Sequence, residues 1–375
     1  MTSALFSPIT IKNLTLENRV VVAPMCQYSC VEGAANDWHL SHLVQLALSG
    51  AGLLVIEATA VEAIGRITHG CLGLYDDAQE AALARVVAAA RRFGHARIGI
   101  QLAHAGRKAS ARVPWQGGGP LDSSERPWHP AAPSAIAMAE GWQVPDALDE
   151  AGLARIRTAF AGTTRRAARL GLDMVELHAA HGYLLHEFVS PLSNRRTDGY
   201  GGSRENRLRF PLEVADAVRA AWPADRPLGA RISGTDWIQS GADIEDAVVF
   251  ARALRDRGYD FVCVSSGGIS LAQRIPIAPG YMVPLAQRVR QASGLLTRAV
   301  GMILTPQQAE DIVASGQADL VALARALLDN PRWCWHAAEA LGAKAWYPPQ
   351  YERVRNNLWP GAAVLRPPRQ MRAAD

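Results

Sequence analysis

Short apolar runs alternate with longer stretches whose apolar residues recur every three or four positions, and the alternation extends over most of the chain. Runs of the first kind predict strands, those of the second amphipathic helices. Ile9-Thr10-Ile11 and Leu14-Thr15-Leu16 flank a Lys12-Asn13 turn and predict an N-terminal β-hairpin. Eight strand candidates follow: Val20–Ala23, Leu53–Ile56, Ile98–Leu102, Met174–Leu177, Leu228–Ile232, Phe261–Val264, Leu295–Val300 and Leu320–Leu323. Helix candidates between them include Ala78–Phe93, Asp149–Leu170, Arg207–Trp222 and Ile244–Arg257. Alternating β and α elements call for a parallel sheet. Eight such units favour a closed (β/α)8 TIM barrel over an open doubly wound sheet, and no Gly-x-Gly-x-x-Gly follows the first strand, which excludes a Rossmann dinucleotide site. The stretch Pro114–Pro133, with Gly117-Gly118-Gly119, is an excursion from the third strand's loop and a candidate lid or rim. No internal repeat or low-complexity tract accompanies the βα alternation.

Composition agrees with one large barrel. The 375 residues are 49% hydrophobic and 20% charged, enough to bury a large core. The net charge is +4, but only three of the 39 basic residues are lysines and the arginines are interspersed with acids, so no nucleic-acid-binding stripe is present. Five scattered cysteines without Cys-x-x-Cys spacing indicate neither a disulfide framework nor a zinc or iron–sulfur site. No stretch reaches the roughly 18 to 20 apolar residues that a membrane span requires. A cytoplasmic protein without membrane or nucleic-acid partners is expected.

The chemistry concentrates in Glu176-Leu177-His178-Ala179-Ala180-His181-Gly182-Tyr183, where a buried strand runs into a loop. Barrel enzymes keep their active sites at that end of their strands. His178 and His181 could be hydrogen-bonded core residues, a metal clip, or paired donors to one substrate oxygen with the Tyr183 phenol beside them. The loop that follows, His186 to Arg207, is polar, bears glycines and is far richer than a connector requires.

These residues resemble the old yellow enzyme family of flavin-dependent ene-reductases, and further motifs occur in the order a barrel demands. Pro24-Met25-Cys26-Gln27-Tyr28 ends strand one, Glu57-Ala58-Thr59-Ala60 ends strand two, and Gln101-Leu102-Ala103-His104-Ala105-Gly106-Arg107-Lys108 ends strand three. Cys26, the Gln101 run and the C-terminal Gln350-Tyr351-Glu352-Arg353 resemble the thermophilic-like branch that includes xenobiotic reductase. The match covers roughly residues 3 to 354.

The resemblance implies an FMN-binding barrel over residues 1–345 and a C-terminal extension, 346–375, that reaches a neighbouring subunit of a homodimer or homotetramer. It assigns the flavin ring to Ala23, Pro24, Met25, Cys26, Ala58, Gln101 and Arg231. It assigns the phosphate to Gly301, Ala324 and Arg325, with Ala324 standing where relatives carry glycine. A β-carbon there costs little at negative φ and strains a positive one. His178 and His181 would bind the carbonyl oxygen of an α,β-unsaturated substrate, Tyr183 would protonate its α-carbon, and Tyr28 and a partner's Arg353 would line the pocket. NADPH, or NADH, is the expected hydride donor, and small activated alkenes, enones or nitroalkenes, are the substrates. The resemblance implies no metal. The rival reading is a metal-dependent barrel hydrolase or lyase with His178 and His181 as ligands, which leaves Gln101 and Arg231 without a purpose. A catalytically silent binding protein is the third reading. The larger dienoyl-CoA reductases need a cysteine cluster and extra domains that this chain lacks.

Overall fold

Eight parallel strands close into a barrel in the computed structural model, which describes residues 3–365. In chain order they are Val20–Val22, Leu53–Ala60, Arg97–Ala103, Met174–Ala179, Leu228–Ser233, Phe261–Ser265, Leu296–Ala299 and Leu320–Leu323. Each pairs in parallel with the next, and the eighth returns to the first through Val321 opposite Val20. The helices Asp37–Ala47, Asp77–Phe93, Glu150–Arg169, Arg204–Ala221, Ile244–Arg255, Val283–Ser293 and Pro306–Ala314 lie between strands. Asn36, Asp76, Asp149, Ser203, Asp243 and Thr305 cap six of these helices, each accepting a backbone N–H from the first turn.

Two apolar layers hold the fold. The larger fills the space between strands and helices, with Phe160, Phe188, Phe210 and Phe250 all buried. The smaller fills the barrel's interior from below: Val21, Leu53, Val55, Met174, Phe261 and Leu320 meet Ile11, Leu14 and Leu16 of the N-terminal hairpin. That hairpin, Ile9–Ile11 paired with Leu14–Leu16, is therefore the plug of the barrel's lower end. Gly99 and Gly229 make room for it. A β-carbon on Gly99 would lie 2.4 Å from Met174 Cε, and one on Gly229 would lie 2.2 Å from the Phe261 ring.

Side chains alternate in and out along a strand. Met174 points inward, so Glu176 and His178 do too, and the same phase turns Gln101, Arg231, Cys263, Ser265 and Arg298 into the barrel above the plug. A register shift between Ile56 and Ala58 lengthens strand two beyond the expected Leu53–Ile56. The shift leaves Ala58 in the cavity wall and Glu57 beside His39, outside the barrel.

Candidate active site

A cavity of about 780 Å³ opens at the carboxyl ends of the strands, lined by residues from the ends of seven strands together with the loop residues Tyr281, Gly301 and Met302. It gathers Ala23, Pro24, Cys26, Tyr28, Ala58, Gln101, His178, His181, Tyr183, Arg231, Gly301, Ala324 and Arg325, so nearly all residues expected from the sequence meet in one place. Met25 is the local exception, since its side chain packs on the core between strand and helix. Arg353 lies on the turn Pro349–Val354 and is not part of this chain's cavity lining.

One wall of the cavity is a tight turn after strand four. His181 at φ +62° and Gly182 at φ +72° reverse the chain, and a β-carbon on Gly182 would lie 2.1 Å from the Gly268 carbonyl oxygen. The Gly182 N–H donates to His186 Nδ1 at 2.9 Å, and His186 Nε2 faces Asp236 at 3.0 Å. Lys108 closes the turn from the other side, donating to the His181 carbonyl at 2.8 Å and that of Gly268 at 3.1 Å, with its ammonium 4.8 Å from the Tyr183 ring centre.

This turn sets the His178 and His181 rings edge to face at 5.1 Å and the His178 and Tyr183 rings at 5.0 Å. The Ala180 N–H donates to His178 Nδ1, which places that ring's proton on Nε2. His181 Nε2 lies 2.7 Å from Ser265 Oγ, and Arg231 Nη2 donates to the same oxygen at 3.3 Å. The hydroxyl proton has two acceptors in reach, His181 Nε2 and Met282 Sδ at 3.6 Å; directed at His181, it leaves Nδ1–H as that ring's donor. Burial, reinforced by Arg231, holds both imidazoles well below their usual range, so both are neutral. Burial also pushes the Tyr183 phenol and the Cys26 thiol well up, so each keeps its proton.

The residues beside this turn fit a flavin. Arg231 Nε is buried without a hydrogen-bond partner among the described residues, a cation awaiting an electron-rich ligand. Gln101 gives one amide N–H to Glu176 at 2.7 Å, keeping its carbonyl and second N–H for a ring edge. Glu176 is held in turn by a buried ion pair with Arg298. Gly301 at φ +104° and the residues after strand eight close the end suited to a phosphate. Ala324 has φ −110°, so its β-carbon brings no left-handed strain.

Residues 4–343 match the NADH:flavin oxidoreductase / NADH oxidase family. The chain belongs to that family, the old yellow enzymes. It is 45% identical over 355 residues to an NADPH dehydrogenase of Geobacillus thermodenitrificans, covering 94% of this chain and 99% of the relative. It is 41% identical over a similar span to an NADPH dehydrogenase of Bacillus subtilis. Morphinone reductase shares its fold at a TM-score of 0.76 and 29% identity, over 93% of each chain. The structure of that enzyme with tetrahydroNAD matches at a TM-score of 0.73 and 29% identity, over 92% of this chain and 93% of the other. As an old yellow enzyme, this protein is an NADPH-dependent flavin oxidoreductase with FMN as cofactor and small molecules as substrates. Among the described residues no helix is long and apolar enough to cross a membrane, and no group of three or more His, Cys, Asp or Glu side chains could hold a metal.

Several members of the site carried no assignment from sequence. Ser265, Glu176 and Arg298 sit in strand-like runs, and only closure of the barrel shows that their inward phase converges on His181 and Gln101. Lys108 ends the strand-three motif, and its sequence neighbours suggest no role for it.

Proposed function

We propose that this old yellow enzyme reduces the activated C=C bond of α,β-unsaturated carbonyl compounds, and of nitroalkenes, at the expense of NADPH. The observation that carries the reading is the convergence of two neutral imidazole donors and one protonated phenol on a single cavity wall. Bound FMN supplies the hydride relay from the nicotinamide to the substrate's β-carbon. His178 Nε2–H and His181 Nδ1–H hold the substrate's carbonyl oxygen and stabilise the negative charge that develops there as the β-carbon gains hydride. Both rings being neutral, neither competes with Tyr183 as acid. Tyr183 delivers its proton to the α-carbon, which completes addition of H⁻ and H⁺ across the double bond. Lys108, its ammonium 4.8 Å from the ring centre, steadies the phenolate left behind until solvent returns the proton.

The visible spectrum of purified enzyme tests this directly. Anaerobic NADPH should bleach the flavin and 2-cyclohexenone should restore the colour; a bleached protein that no enone or nitroalkene reoxidises would overturn the proposal. Tyr183→Phe should slow enone reduction at least about 100-fold while flavin reduction by NADPH stays near normal. Equal slowing of both half-reactions would remove Tyr183 as the acid.

The residues after 345 extend this reading to an assembly. Arg353 is not part of its own chain's cavity, and Leu358, Val364 and Leu365 expose apolar side chains on the same segment. Docking of the segment on a second copy, with Arg353 at that copy's pocket mouth, accounts for both. Residues 366–375 of the proposed extension lie outside the described part of the chain.

A further inference from the structure

The excursion after strand three is a narrow hairpin with a rigid base and a bare tip. Ala111 bridges Pro120, the Arg112 N–H donates to the Gly119 carbonyl at 2.8 Å, and the Leu121 N–H to that of Ser110 at 2.9 Å. At the base, Arg112 is committed to Asp122 at 2.9 Å and Glu125 at 2.6 Å. Trp128 donates to the Ile64 carbonyl, stacks edge-on with His69 at 5.0 Å and lies under Arg66. The tip is the short turn Pro114–Gln116, followed by Gly117, Gly118 and Gly119, around which there is open space. It carries one large side chain. Trp115 is 68% exposed, and its ring meets Tyr28 edge-on at 5.9 Å and 77°. Tyr28 lines the cavity and Trp115 does not, so the indole continues the Tyr28 wall outward beyond the pocket's own lining.

An indole left this exposed beside Tyr28 offers a large apolar face next to the cavity lining. No charged residue occurs from Val113 to Gly119, and the hairpin's Arg112 is already paired, so the tip has nothing with which to hold a dinucleotide's phosphates. An uncharged ring is the better match. Building on the alkene-reductase reading above, we propose that Trp115 is a specificity-determining residue. Its indole receives an apolar ring carried on the far side of the alkene from the flavin-facing end, selecting aryl-substituted activated alkenes over small ones. The open glycines let the tip adjust to the size of that ring, while the anchored base keeps it over Tyr28.

The test compares FMN-loaded parent, Trp115→Ala and Trp115→Phe with 2-cyclohexenone and with 4-phenyl-3-buten-2-one. Trp115→Ala should raise KM for the aryl enone roughly 5- to 10-fold, weaken its equilibrium binding to oxidised enzyme by a similar factor, and leave kcat alone. Its constants for 2-cyclohexenone and its rate of flavin reduction by NADPH should stay within about twofold of the parent, and Trp115→Phe should recover most of the loss. Equal losses on both enones, a loss confined to NADPH, an altered oligomeric state, or no change at all would each overturn the proposal. A parent that reduces neither enone removes the alkene-reductase reading and this one with it. A parent that reduces both, alongside an unchanged Trp115→Ala, removes this one alone.

Discussion

Lys108 shows how one side chain ties the site together. Its ammonium bridges carbonyls from the loops after strands four and six and lies over the Tyr183 ring, and burial pulls its pKa down to about 8. Burial pushes the neighbouring Glu187 carboxyl up to about 8, with Arg107 opposing that rise, but Lys108 is the one of the two that holds the His181 turn. Because the lysine value is depressed, the cation is present below about pH 8 and lost above it. Enone reduction should therefore decline above about pH 8, while flavin reduction by NADPH should not follow the same limb. Lys108→Met leaves the carbonyls of His181 and Gly268 unpaired and loosens the turn. A loss of about 10- to 100-fold in enone reduction is expected, with the alkaline limb abolished. Single-turnover rates between pH 6 and 9.5 check both; a variant that keeps the limb would assign it elsewhere.

Among the elements, strand four does the most. It places Met174 in the plug, Glu176 in the middle of the barrel and His178 in the cavity, three functions on one inward face. Removing the Glu176 carboxylate strands the buried Arg298 cation, and loss of one partner from a buried pair costs roughly 3–5 kcal/mol. Glu176→Ala should lose stability of that order in urea titrations and also loosen Gln101. Glu176→Leu combined with Arg298→Met should recover much of the loss; additive effects would show that the pair has no coupling.

The alternation of short apolar runs with helix-period stretches made the barrel readable from sequence, and seven of the eight expected runs lie within about two residues of the observed strands. Strand two ran on to Ala60 because Glu57 and Thr59 broke the apolar run while a bulge kept both buried. The pair Ala131–Ala132 and Asp146–Ala147 is too short to have a period at all. Site residues with distinctive neighbours, His178, His181, Tyr183 and Gln101, were legible. The Glu176–Arg298 pair was not, because its partners are 122 residues apart and a charge within a strand says nothing of its counter-charge. Trp115 was passed over because its contact with Tyr28 spans two loops.

At the scale of the molecule, the proposed C-terminal docking makes assembly and substrate binding one property. Arg353→Ala should raise KM for enones several-fold without changing sedimentation, whereas truncation after residue 345 should shift the protein toward monomer. A truncated chain that keeps both its oligomeric state and its KM would show that the segment serves neither. The near absence of lysine has a practical consequence of its own. Lys12 and Lys344 are exposed and Lys108 is folded into the site. An amine-acylating reagent should thus mark two of the three lysines at once and the third only when the His181 turn swings open. Peptide mass spectrometry over time would then clock that opening, residue by residue, in unmodified enzyme. Saturating substrate should slow the third reaction and leave the first two untouched.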